Sequence, residues 1–207
     1  KLDAPYVIRS YRPGDEGGWE TIIAESFGAA SAPPIRSLTF GRGPRALTVG
    51  AETVFFRHEK TFFHRPGIVI RVKDSAPADK VSHTVDDVSK YKVDRVGLTF
   101  GIDGIAVQND SGNAATFAKC VETIAAKTTL PLILMATDPA AMSGALDKVA
   151  KVKPAIYAAT KDNIDKMIEL AKKYTCPLAV RSSDGLNELA ELTDKAVKAG
   201  VEDLILD

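Results

Sequence analysis

Cysteine is scarce in this sequence: 207 residues hold only Cys120 and Cys176. A four-cysteine iron–sulfur cluster needs twice as many thiolates, and two cysteines this far apart lack metal-site spacing. Both read as small buried hydrophobes in a reducing compartment, Cys120 on an apolar helical stripe and Cys176 just before an apolar run. An excess of one charge is also missing, since 27 Lys and Arg face 27 Asp and Glu. A neutral chain has no long-range attraction to phosphate backbones or anionic lipid, so neither nucleic acid nor a membrane is expected as a partner. No apolar run reaches the roughly 18 residues that a membrane-crossing helix needs. The opening Lys1-Leu2-Asp3-Ala4-Pro5 contains no apolar signal core and no initiator methionine. The expectation is therefore a cytoplasmic chain that is a fragment or has a processed end.

What is present is a repeat. From residue 67 onward a short apolar run is followed by an amphipathic stretch, and the runs fall at 67–72, 104–107, 131–135, 155–158, 177–180 and 203–206. Near-continuous apolar runs suit strands buried on both faces. Between them Val81, Val85 and Val88 recur at helical spacing, as do Phe117, Cys120, Val121 and Ile124, then Met142, Leu146 and Val149, then Ile164, Met167, Ile168 and Ala171. Leu186, Leu189, Ala190 and Val197 are read as the apolar face of a last helix. Asp138-Pro139 reads as a cap with proline at the first helical position, Thr160 to Asn163 as a polar helix start, and Gly200 as a helix stop.

Alternating strands and helices with short connections mean parallel strands and right-handed crossovers. The expected fold class is α/β, a (β/α) TIM-type barrel. The units are regular and no phosphate-binding glycine fingerprint follows the first strand, which disfavours a doubly wound sheet. Six strands are counted where a closed barrel has eight, so the barrel is expected to be incomplete and the chain cut short. Residues 33–207 are assigned to this truncated barrel and residues 1–32 to an N-terminal remnant or linker. Before the repeats, Leu47–Val49 and residues 54–56 alternate around Gly50-Ala51, which predicts a β-hairpin capping the barrel floor. Gly41-Arg42-Gly43-Pro44 is read as a turn, and Gly101-Ile102-Asp103-Gly104 as a tight lead-in to a strand.

Barrel enzymes carry their chemistry beyond the C-terminal ends of the strands. Here those positions hold Arg71 and Asp74, Asn109 and Asp110, Thr137 and Asp138, Thr160 and Asp162, Arg181 and Asp184, and Asp207. Asp138, Thr160 and Asp184 are read as helix caps and the others as solvated. No histidine lies among them, which weakens a case for acid–base catalysis, and no catalytic residue is assigned. Arg57, His58, Glu59, Lys60 and His64 form the densest polar cluster. His58 and His64 lack a third ligand at metal-binding spacing, so no metal site is assigned, and the five residues are read as an ion-paired structural or interface edge.

Several motifs resemble the large (gamma) subunit of the corrinoid iron–sulfur protein of the carbon monoxide dehydrogenase/acetyl-CoA synthase (acetyl-CoA decarbonylase/synthase) system. They are Ala29-Ala30-Ser31-Ala32-Pro33-Pro34-Ile35, the segment running from Val49-Gly50-Ala51-Glu52-Thr53 through Arg57-His58-Glu59-Lys60 to His64, and Asp94-Arg95-Val96-Gly97. Leu134-Met135-Ala136-Thr137-Asp138-Pro139, Tyr157-Ala158-Ala159-Thr160 and Cys176-Pro177-Leu178-Ala179-Val180 follow in register. The resemblance runs from about Ala29 to Asp207. It implies a TIM-barrel scaffold in a protein that carries a methyl group from a methyl-tetrahydropterin methyltransferase to acetyl-CoA synthase in the reductive acetyl-CoA (Wood–Ljungdahl) pathway of carbon fixation. It further implies a small-subunit partner, and cobalamin and a [4Fe-4S] cluster in the full-length protein. Neither cofactor is expected in this chain. The segment Leu2-Asp3-Ala4-Pro5-Tyr6-Val7 resembles the end of the family's cluster domain but lacks its last cysteine. The fragment alone is expected not to be catalytic. The alternative is a free-standing barrel enzyme of the pterin-dependent methyltransferase type. A remote third reading, a GNAT-like acetyltransferase fragment, rests on residues 7–28 and lacks the glycine-rich pyrophosphate turn.

Overall fold

Two short strands open the described part of the chain. In the computed structural model, which describes residues 37–50, 64 and 66–207, β1 (Leu38–Phe40) pairs antiparallel with β2 (Leu47–Val49) across a 3-10 turn at Gly43–Arg45. The glycine-rich stretch is thus a turn, as expected. The predicted hairpin differs in its partner: Leu47–Val49 pairs back to Leu38–Phe40. Residues 54–56 lie outside the described residues, as do the readings placed on residues 1–32 and on Arg57, His58, Glu59 and Lys60.

The six expected runs are all strands of one parallel sheet. After β3 (Val69–Lys73) come α1 (Ala78–Lys90), a second hairpin of β4 (Lys92–Arg95) and β5 (Leu98–Gly101), and β6 (Gly104–Gln108). Then follow α2 (Ala114–Lys127), β7 (Leu132–Met135), α3 (Pro139–Val149), β8 (Ala155–Ala159), α4 (Ile164–Tyr174), β9 (Leu178–Val180), α5 (Leu186–Lys198) and β10 (Leu204–Leu206). In space the strands run β3, β6, β7, β8, β9, β10, their order in the chain, and every pairing is parallel. A doubly wound sheet reverses its order at a switch point, whereas a barrel keeps it, so this is the order of a barrel. Among the described residues the sheet is open, with β3 and β10 each bonded on one side only. The fold is an incomplete (β/α) barrel.

Alternation along the strands sets the two faces. Val72, Ile105, Val107, Leu132, Leu134, Ile156 and Leu178 pack outward against Val85, Phe117, Ile124, Met142, Leu146 and Met167 of the helices. Each such fully buried side chain contributes about 1.5–3 kcal/mol relative to exposure. The opposite face carries Arg71, Ala106, Ile133 and Ala155 in one row and Lys73, Gln108, Met135 and Tyr157 in the next. At its N-terminal end Ile133, Ala155 and Ile205 meet Leu38, Phe40, Leu47 and Val49 of the first hairpin. Gly41 donates to the Lys153 carbonyl at 2.8 Å. This hairpin therefore closes the floor of the concave face.

Helix ends follow local chemistry. The Asp138 carboxylate accepts from the Ala140 and Ala141 amides, with Pro139 at the first turn. The Asn113 side chain does the same for Ala115 and Thr116. Gly200, at φ 87°, closes α5. Two expectations are corrected. The buried face of α5 is Leu192 and Ala196, with Leu189 packed beside them, while Leu186 and Val197 are exposed. Its N-cap is Gly185, and the Asp184 amide instead donates to the Ser182 hydroxyl.

Candidate functional site at the strand tops

The register places one inward-facing row near the C-terminal ends of the strands. Lys73 lies opposite Gln108, Gln108 opposite Met135, and Met135 opposite Tyr157. Beyond this row the chain leaves each strand into a loop, and three polar networks tie those loops together.

The first joins β3 to β6. Asp74, buried at 6% exposure, accepts from the Asp110 and Ser111 amides at 2.8 Å and from the Ser111 hydroxyl at 2.7 Å. It was expected to be solvated. It is instead the acceptor around which the β6–α2 loop folds, because two amides turned away from any strand need a partner. Asp110 accepts from the Ser75 hydroxyl at 2.6 Å and from Lys73 Nζ at 3.0 Å. The Ser75 hydrogen bond, then Lys73, hold its carboxyl below the ordinary carboxylate range.

The second joins β8 to β10. The Tyr157 hydroxyl donates to Asp207 at 2.6 Å, and Arg181 Nε lies 3.7 Å from the same carboxylate. Burial and the Asp207 hydrogen bond raise the Tyr157 phenol above its ordinary value. The third joins β7 to β8. Asn163 accepts from the Thr160 amide at 2.7 Å and donates to the carbonyls of Thr137 at 2.8 Å and Ala158 at 3.4 Å. Thr160 is therefore not the cap of α4; Asn163 is. Nearby, the Ser182 hydroxyl donates to Glu188 at 2.5 Å and Lys161 Nζ lies 3.3 Å away. The Ser182 bond leads in holding Glu188 below the ordinary range.

These groups suit holding loops more than moving protons. The carboxylates at Asp110 and Glu188 stay ionised at neutral pH, and the Tyr157 phenol stays protonated. Two amide oxygens, Gln108 Oε1 and Asn109 Oδ1, are buried without a protein partner among the described residues. The sequence pointed to Asp74, Asp110, Arg181 and Asp207 by their place after strands. It passed over Ser75, Ser111, Ser182 and Glu188, and saw Asn163 only as part of a helix start. Inward alternation along residues 155–159 was the available signal for Tyr157. Of the five residues expected at an edge, His64 is described, and its Nε2 lies 3.4 Å from the Ser37 hydroxyl.

Cysteine chemistry excludes one cofactor from this chain. Cys120 lies on α2 and Cys176 just before β9, and burial pushes both thiols up to about 11. Two protonated thiols do not fit the four-thiolate ligand set of a [4Fe-4S] cluster.

Comparison with known proteins places these features. The family model described as CO dehydrogenase/acetyl-CoA synthase delta subunit matches residues 37–207. The corrinoid/iron-sulfur protein large subunit of Moorella thermoacetica is 44% identical over 183 residues, covering 88% of this chain and 41% of that one. The acetyl-CoA decarbonylase/synthase complex subunit gamma of Methanopyrus kandleri is 33% identical over 202 residues, covering 97% of this chain and 43% of its own. The chain thus spans about two fifths of the length of these curated relatives. A solved Mycobacterium tuberculosis structure aligns at a TM-score of 0.48 and 16% identity, over 69% of this chain and 61% of that one.

Proposed function

The chain belongs to the CO dehydrogenase/acetyl-CoA synthase delta subunit family, and from that premise we propose that it is the barrel scaffold of a corrinoid iron–sulfur protein large (gamma) subunit. In this reading residues 33–207 are the barrel domain and residues 1–32 the segment leading into it. The scaffold holds the corrinoid-bearing part of the full-length protein in position while a methyl group passes from a methyl-tetrahydropterin methyltransferase to acetyl-CoA synthase. The small subunit is its partner, and the assembly is cytoplasmic.

The observation that carries this reading is the 44% identity running through 88% of the chain. The strand tops add support. Their charged groups at Asp74, Asp110, Glu188 and Asp207 are engaged with neighbouring loops, which is the arrangement of a rigid support. Holding a carrier needs stiffness rather than a proton-transfer group.

The test uses the complete gene product that contains this segment, purified with its corrinoid. Supplied with methyl-labelled tetrahydropterin and the separate methyltransferase, it should take up label and pass it on to acetyl-CoA synthase. Uptake without the methyltransferase would favour the free-standing enzyme instead. A complete product that binds no corrinoid would overturn the reading outright.

A further inference from the structure

Two Asp–Gly pairs occur in the sequence, Asp103-Gly104 and Asp184-Gly185, and no Asn–Gly. In such a pair the glycine amide nitrogen can attack the aspartate side-chain carbon, because glycine has no Cβ to hinder the approach and its backbone is free to take the required shape. The step closes a five-membered succinimide: an N–Cγ bond forms, a C–O bond of the carboxyl breaks and one water leaves. Solvent water then opens either carbonyl, returning aspartate or leaving isoaspartate, whose main chain runs through the side-chain carbon. No oxidant, reductant or cofactor takes part. The fold sets the rate, since a carboxyl or an amide already engaged in a rigid hydrogen bond does not reach the attacking geometry without local opening.

The two pairs are held differently. Asp103 is locked to Ile68 in both directions: its Oδ2 accepts from the Ile68 amide at 2.8 Å, and its own amide donates to the Ile68 carbonyl at 2.8 Å. Gly104 is buried at the start of β6, where a Cβ would meet the Pro131 carbonyl oxygen at 3.1 Å. The Asp–Ser pairs are locked as well. The Asp74 carboxylate carries three hydrogen bonds, and in Asp110-Ser111 the serine amide is held by Asp74 at 2.8 Å. Asp184-Gly185 is the opposite case. Ser183, Asp184 and Gly185 are exposed, and Leu186 beyond them is 82% exposed. Gly185 sits at φ 104° with nothing within 4 Å of where a Cβ would stand. Its amide has no acceptor among the described residues, while the neighbouring Asp184 amide donates to Ser182. Lys161 and Glu188 are the charged neighbours of the Asp184 carboxyl. Lys161 is paired with Glu188 at 3.3 Å, and a second carboxylate does not hold Asp184 as the Ile68 amide holds Asp103.

We propose that Asp184 is a modification site, at which the exposed Asp184-Gly185 pair closes to a succinimide and ages to isoaspartate while Asp103-Gly104 stays intact. The product carries a free α-carboxylate on a main chain linked through the side chain, which is the substrate class of carboxyl-methylating repair enzymes. Isoaspartate adds one methylene to the backbone immediately before Gly185, the N-cap of α5. It thereby shifts the short loop in which the Ser182 hydroxyl accepts from the Asp184 amide and donates to Glu188. This chemistry depends on the loop alone and stands whether or not the chain is a scaffold.

The experiment stores the full-length gene product at neutral pH, warm but below its melting transition, and follows isoaspartate by peptide mapping with electron-transfer fragmentation. Methylation of each recovered peptide by an isoaspartyl carboxyl methyltransferase and labelled S-adenosylmethionine identifies the same group independently. In the native protein isoaspartate should accumulate at 184 at least about tenfold faster than at 103 or 110. In urea the rates at the two Asp–Gly pairs should fall within about threefold of each other, since only the fold separates them. Asp184→Glu would have to close a less favourable six-membered ring, so its peptide should stay unmethylated. Equal native rates at 103 and 184 overturn the proposal, as does a peptide methylated just as fast in Asp184→Glu. Isoaspartate that forms at 184 in urea but not in the native protein also overturns it, and shows that the remainder of the polypeptide or a partner covers the loop. A difference between the two pairs that persists in urea overturns it too, because neighbouring side chains and not the fold then set the rates.

Discussion

At the scale of single residues the structure turns on acceptors for stray amides. Asp74 takes the Asp110 and Ser111 amides and the Ser111 hydroxyl together. Removing a buried acceptor leaves its donors unsatisfied, which costs more than the bond itself contributes. Asp74→Ala is expected to lower the stability of the full-length protein by about 2–4 kcal/mol, read from urea unfolding midpoints. Asp74→Asn keeps one amide oxygen toward the two N–H groups, and its expected loss is nearer 1 kcal/mol, with ~1 kcal/mol being typical of one hydrogen bond. Equal midpoints for wild type and Asp74→Ala would show that the β6–α2 loop does not depend on this carboxylate.

Among the elements, two local devices are open to direct measurement. Asp138 satisfies the first amides of α3, and Asp138→Ala should destabilise by about 1 kcal/mol, the usual value of an N-cap. Gly41 sits at φ 83°, and a Cβ there would come within 2.8 Å of the Pro131 ring and 3.3 Å of its Cα. The ring and backbone have little room to yield, so Gly41→Ala should destabilise by about 1–3 kcal/mol, seen as a lower melting temperature. The six strands of the sheet and the first four of its helices could be read in the sequence because apolar residues recur there at an unbroken period and polar caps punctuate them. The last helix was read on the wrong face. Leu186 and Val197 carry large apolar side chains but stand exposed, and the smaller Ala196 marks the side that packs. The β4–β5 ribbon was missed for a related reason. Lys92, Asp94 and Arg95 break its apolar run, and both strands are exposed, so no buried period marked it. Within the candidate site, position after a strand identified Asp74 and Asp110 but not that Asp74 is buried. That depends on where the β6–α2 loop returns, which residues 36 and 37 positions apart in the chain decide between them.

For the whole molecule, ionisation sets a stability window. The Asp110 and Glu188 carboxyls are held below the ordinary range in the fold by the Ser75 and Ser182 hydrogen bonds first. Groups lowered in the fold add stability above the ordinary carboxylate range, and that part is lost as acid takes the pH down through their folded values. Cys120 and Cys176 work in the opposite sense. Burial raises both from 9.0 to about 11, so their contribution is complete below 9.0 and is lost as the pH climbs toward about 11. Melting temperature measured against pH should be flat between these limits and fall on both sides. Iodoacetamide should label both thiols far more slowly in the native protein at pH 8 than in urea, and equal rates would show that the thiols are open to solvent.

The same strand order has a bearing on how the molecule is made. Because each strand of the sheet lies beside the one preceding it in the sheet, a nascent chain can dock each β–α unit as it leaves the ribosome, without waiting for distant residues. The exception is the first hairpin. Leu38 and Phe40 are synthesised early but rest on Ala155, with Ile205 packed alongside, so this part of the floor waits for β8 and β10 to be translated.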